Sequence, residues 1–152
     1  MPKTFKRRTN NNFSRKNRST SDSLSAFQKQ ITIVFFEMIM MVKLFHWKTH
    51  SYATHKATDE LYASLNEHID SFIEVLLGKT GSRIDLMSNR SIKLIDLNSQ
   101  EQLKSKIMSL KSYLVSLDNN KALSTMSNSD LLNIRDEILS DMNQFLYLLT
   151  FK

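Results

Sequence analysis

The sequence predicts an all-α protein built as a four-helix bundle, and three observations carry that prediction. Glycine occurs only at positions 78 and 81 and proline only at 2, so the 152 residues hold almost nothing that would stop a helix or turn a strand. Hydrophobic residues make up 41% of the chain, enough for one core of ordinary size in a single domain. Those residues recur at intervals of three and four in separate blocks, the signature of amphipathic helices.

The first block is not a helix by this reading. Residues 1–22 (beginning MPKTFKRRTNNNFSRKNRSTS) are polar and charged, with too little apolar surface to offset the entropy of ordering them, and are expected to be a disordered basic arm. From Ser23 to the C-terminus lies the bundle, residues 23–152. Leu24, Phe27, Ile31, Val34, Phe35, Met38, Met41, Val42 and Phe45 follow the helical period. Ile33, Phe36, Ile39, Met40 and Leu44 make that helix apolar on further faces, as expected of one packed both in a bundle and against a neighbouring subunit.

A turn is placed near His50 and Ser51. The second helix runs from about Tyr52 to Leu77, with Leu61, Leu65, Phe72, Ile73 and Leu76 inward and Gly78 as its C-cap. Residues 78–98 form a long connection with scattered apolar anchors. Ser99 caps the third helix, with Gln102 at the capping-box position and Leu103, Ile107, Leu110 and Leu114 on one face. Asn128 or Ser129 caps the fourth, which buries Leu131, Ile134, Ile138, Phe145 and Leu149. Two hairpins joined by one long crossover between helices 2 and 3 make the ferritin-like arrangement.

Composition narrows the chemistry. With no cysteine there is no disulfide framework, thiolate metal site or cysteine nucleophile, and any metal must be held by His, Asp or Glu. Lys3, Lys6, Arg7, Arg8, Arg15, Lys16 and Arg18 fall in the first twenty residues without an acid. Of 21 bases and 15 acids in all, the remainder therefore carries fourteen bases against fifteen acids, close to neutral. Such an arm suits non-specific neutralisation of nucleic-acid phosphates, and nothing in it reads bases. No secretory signal is visible, and the apolar stretch from Ile31 to Phe45 is too short to span a bilayer and contains Glu37 and Lys43. The expected setting is cytoplasmic, nucleoid-associated or inside a virion.

The segment FHWKTHSYATHKATDELYASLNEHIDSFIEVLLG carries His46-Trp47, His55, and Asp70 with Glu74 four residues on. It resembles the Dps family, the mini-ferritins that bind DNA in starved bacteria, and small helical proteins of tailed phages and large DNA viruses. The chain departs from the Dps pattern in three places: the interval from His46 to His55 is shorter, the glycine after His-Trp is missing, and Ile73-Glu74-Val75 stands where the family has Ala-Glu-Arg. The resemblance implies an iron-binding ferroxidase centre of His46, His55, Asp70 and Glu74 with Trp47 beside it, a two-fold intersubunit site, and a twelve-subunit shell.

Geometry leads separately to a shared site. With a turn near residue 51, His46 and His55 lie level at one end of the hairpin, whereas Asp70 stands fifteen residues beyond His55, ~22 Å along a helix. A site using all four side chains must draw His46 and His55 from one subunit and Asp70 and Glu74 from another, and imidazole with carboxylate suits ferrous iron or a similar divalent ion. Glu37, His68 and Asp141, each beside the apolar row of its helix, are expected to meet as a hydrogen-bonded core cluster. The alternative function is a non-enzymatic structural or DNA-packaging bundle of a virus or phage.

Overall fold

The computed structural model describes residues 12–89 and 91–151, with side chains from residue 20 onward. Four helices follow one another: α1 (Asn12–Lys48), α2 (Tyr52–Thr80), α3 (Gln100–Ser116) and α4 (Ser129–Leu148). Two short 3-10 turns, Leu117–Asn119 and Leu123–Thr125, join α3 to α4, and the described residues contain no strand.

Helix α1 begins at Asn12, earlier than the Ser23 expected from the apolar pattern. Amphipathic periodicity marks only where a helix starts to bury side chains, here Phe27 among the described residues, whereas no glycine or proline after Pro2 halts the helix before it. Arg15, Lys16 and Arg18 thus belong to its first turns, while Lys3, Lys6, Arg7 and Arg8 lie outside the described residues.

The hairpin turns where expected. Ser51 caps α2, its Oγ accepting from the Thr54 N–H at 3.2 Å. At the far end α2 runs through Gly78 and stops at Gly81, whose φ of 63° places it in the left-handed region that glycine enters without a Cβ penalty. The extra turn is held by Gln28 of α1, which donates through Nε2 to Thr80 Oγ1 at 2.7 Å and Ser82 Oγ at 2.9 Å. With Gln28 against Thr80 and His46 against His55, α1 and α2 are antiparallel.

Ser99 caps α3 as predicted, accepting from the Gln102 N–H at 3.2 Å, while Gln102 Oε1 reaches back to the Asn98 N–H at 2.8 Å. Lys48 ties the end of α1 to the preceding connection through Asp96 at 2.6 Å and Asn98 at 2.9 Å. Thr54, near the start of α2, donates to Gln100 at the start of α3 at 3.2 Å. Helix α2 packs on both α1 and α4, and α3 on α4.

The core runs through all four helices, with Phe35 and Phe72 meeting edge to face, centroids 5.4 Å apart, at its centre. Among the described residues, the charged side chain buried in it is an arginine. Arg135 of α4 donates from Nη1 to the Leu114 carbonyl at 2.8 Å and from Nη2 to Asp118 Oδ1 at 2.7 Å, so it adds a second donor to a carbonyl in the last turn of α3 that also accepts from the Leu117 N–H. Its Nε lies 2.7 Å from Asp136 Oδ1 but outside hydrogen-bonding geometry. By length and composition the stretch Thr20–Lys48 of α1 would suffice to cross a membrane, a longer span than the apolar run suggested. Its buried stripe is part of the bundle core.

Candidate metal centre

His46 closes α1 and His55 stands in the first turn of α2, so the tight link between them, residues 49–51, brings the rings face to face. The centroids are 3.9 Å apart with planes inclined by 23°. Each ring is fixed by the other's backbone: His46 Nδ1–H donates to the His55 carbonyl at 3.0 Å, and His55 Nδ1–H donates to the His46 carbonyl at 3.1 Å. A carbonyl cannot donate, so both Nδ1 atoms carry the proton in these bonds, and each neutral ring keeps its lone pair on Nε2.

Thr58 completes the frame. Its buried hydroxyl lies 3.2 Å from His46 Nδ1 and donates to the Thr54 carbonyl at 2.8 Å and the His55 carbonyl at 3.0 Å. Histidines whose Nδ1–H is held by a backbone carbonyl and whose Nε2 is free have the tautomer and fixed orientation that metal ligation requires.

A carboxylate absent from the sequence-derived set joins them. Asp59 Oδ1 lies 3.9 Å from His46 Nε2, and its side chain is half exposed at 54%. The signal was present: Asp59 follows His55 by four residues on α2 and therefore shares its face. The two other predicted ligands, Asp70 and Glu74, are exposed on the same helix, well removed from the histidines. Asp70 borders a hollow of about 180 Å³ lined by Phe35, Phe36, Ile39, Ile69 and Ile73. Among the described residues, no three His, Asp or Glu side chains converge within one protomer to hold a metal ion.

Trp47 points outward, 68% exposed, with the Lys43 ammonium 5.8 Å from its ring centroid. The same ammonium lies 4.5 Å from the Tyr62 centroid.

The expected core cluster forms in part. His68 Nδ1 and Asp141 Oδ2 meet at 2.7 Å, a bond between α2 and α4 beside a hollow of about 30 Å³, room for about one water. Glu37 does not join them and has no hydrogen bond or ion pair with the described residues. Of the arm's bases, Arg15, Lys16 and Arg18 lie on the first turns of α1 and the others outside the described residues.

Residues 46–149 match a family of unknown function, DUF5856, a span that opens on His46 and takes in His55, Asp59, Asp70 and Glu74. No curated protein and no solved structure matches the chain.

Proposed function

The chain belongs to the DUF5856 family of unknown function, and from the geometry of its histidine pair we propose that it is a Dps-like mini-ferritin: an oligomeric ferritin-like bundle that binds and oxidises ferrous iron between two copies and holds DNA non-specifically through its basic arm. The reciprocal Nδ1 bonds of His46 and His55 carry this reading, because they fix both rings through Nδ1 and leave Nε2 of each available for ligation, with a carboxylate 3.9 Å from that of His46. A bundle needs no such arrangement to be stable.

The ferritin-like topology draws support from the ends of the helices. Gln28 and Lys79 mark the end of the molecule where α2 stops, whereas Thr54 and Gln100 bring the starts of α2 and α3 together at the other. The connection of residues 82–99 must then run back along the bundle, as a crossover does.

The spacing along α2 supports a shared site. His55 precedes Asp59 by four residues and Asp70 precedes Glu74 by four, so a single antiparallel pairing of α2 with α2 of a second copy, centred between Ser64 and Leu65, sets Asp59 opposite Asp70 and His55 opposite Glu74. One two-fold register serves both pairs and creates two equivalent sites. His46, His55 and Asp59 of one copy with Asp70 and Glu74 of the other give two imidazoles and three carboxylates, a donor set suited to ferrous iron. Iron enters as substrate and gives its electron to dioxygen or peroxide; the chain's groups bind it, fix its place and neutralise its charge. Trp47, on the outward side of the same turn, would be covered by the second copy.

The test is to add ferrous iron anaerobically to the full-length protein, measure bound metal and assembly mass together, then admit oxygen or peroxide. Bound iron on an assembled species, rapidly oxidised, and lost in His55→Ala/Asp70→Ala with the helices intact, is the expected result. Retained stoichiometric iron in that variant rules the assignment out. An assembly that takes up no iron would favour a structural, DNA-packaging bundle instead.

A further inference from the structure

Resting on that reading, we propose that Lys43 is a resident counter-charge for the shared site: before any metal arrives, its ammonium balances the carboxylates that two copies bring together. Three observations point to it. Lys43 lies one turn before His46-Trp47 on α1, and Tyr62 lies three residues beyond Asp59 on α2, so both stand at the border of the histidine pair on the side toward Asp70. The ammonium is held there, 4.5 Å from the Tyr62 centroid and 5.8 Å from the Trp47 centroid, a cation–π placement that fixes a side chain otherwise free to wander. Among the described residues, no carboxylate lies within ion-pair distance of it, so these leave the charge unanswered.

The second copy supplies the answer. In the antiparallel register, Asp70 of the second copy comes opposite Asp59, and Glu74 opposite His55, so each site gathers three carboxylates around two imidazoles. Three like charges taken partly out of water repel one another and oppose docking unless a cation sits among them. A divalent ion serves when present. In its absence Lys43 is the cation placed to serve, nearest the incoming Asp70, which lies closer to the two-fold axis than Glu74 does. Lys43 acts through charge on the other side chains and is not a ligand.

The experiment compares assembly of wild type, Lys43→Met, Lys43→Arg and Lys43→Met/Asp59→Asn by sedimentation velocity at low and high salt, without metal and with Mn²⁺ as a non-oxidising probe. Methionine keeps the apolar stem against Tyr62 and Trp47 and removes only the charge. The metal-free Lys43→Met protein is expected to dissociate at least about tenfold more readily than wild type. Mn²⁺ should restore its assembly, as should Asp59→Asn, which removes one repelling charge. Lys43→Arg should assemble like wild type. Circular dichroism confirms that each variant keeps its helices. Metal-free Lys43→Met that assembles as tightly as wild type overturns the proposal, and so does dissociation that neither Mn²⁺ nor Asp59→Asn reverses, since that identifies a packing role. A wild-type protein that neither assembles nor binds Mn²⁺ would overturn the shared-site reading itself.

Discussion

His46 and His55 fix each other across the α1–α2 hairpin, each Nδ1–H donating to the other's backbone carbonyl, at 3.0 and 3.1 Å, while the rings stack 3.9 Å apart. The arrangement sets a tautomer as well as a position. Two-bond ¹H–¹⁵N correlation spectra at neutral pH should therefore show both rings protonated on Nδ1. An Nε2–H signature for either ring would remove the basis for ligation through that atom.

Thr58 receives His46 Nδ1 at 3.2 Å from a fully buried hydroxyl that also caps two carbonyls of α2. Thr58→Val keeps the shape and removes the hydroxyl. It is expected to cost about 1–2 kcal/mol of stability in chemical denaturation and to weaken binding of Mn²⁺ about 10-fold or more by calorimetry. Unchanged metal affinity would show that the ring needs no such support.

Arg135 is the buried cation that joins α4 to the end of α3. Arg135→Ala takes from the Leu114 carbonyl one of its two donors, leaving the Leu117 N–H, and frees Asp118, whose half exposure lets water recover part of the loss. A destabilisation of about 2–3 kcal/mol is expected, below the full cost of breaking an entirely buried pair. The denaturation midpoint measures it.

Lys79 of α2 donates to Asp130 Oδ2 at 2.8 Å and to the Ser127 carbonyl at 2.8 Å, clasping the start of α4. The Lys79 hydrogen bond holds the Asp130 carboxyl below its usual 3.8. A carboxylate lowered in the folded state stabilises it above the unfolded value, and that contribution fades as pH falls through the folded one. Stability of the wild type should drop on acidification below about pH 4, and Asp130→Asn should flatten that part of the profile. Parallel profiles for the two proteins would contradict the clasp.

DNA affinity, if the arm supplies it, must depend steeply on salt. Deleting residues 1–20 removes seven bases, and the slope of log affinity against log salt should become shallower by up to about 6. A deletion that leaves both slope and affinity unchanged would assign the binding elsewhere.

Several features were legible in the chain because they depend on neighbours in sequence. Ser99 and Gln102 cap α3 as their spacing predicts, since capping needs only the first turn of a helix. The turn at residues 49–51 and the level placement of His46 with His55 follow from where two apolar patterns end and begin. Gly78 and Gly81 were less legible. Both could cap α2, and the choice fell to Gln28, fifty residues away, whose bonds to Thr80 and Ser82 hold the extra turn.

By itself, then, the sequence determined that the protein is helical, how many helices it has and most of the apolar side chains that form the core, because those features follow from a period of 3.6 residues and a lack of breakers. Ile73 and Ile134, expected inward, are only partly buried. Only the tertiary structure decided what the polar groups do. It made a hydrogen-bonded bridge of His68 and Asp141 and left Glu37 out, it buried Arg135, and it brought Asp59 to within 3.9 Å of His46. A periodic pattern reports burial and says nothing of partners. Which donor meets which acceptor depends on how helices distant in the chain are rotated and set against one another, a choice made by the packing of the whole core.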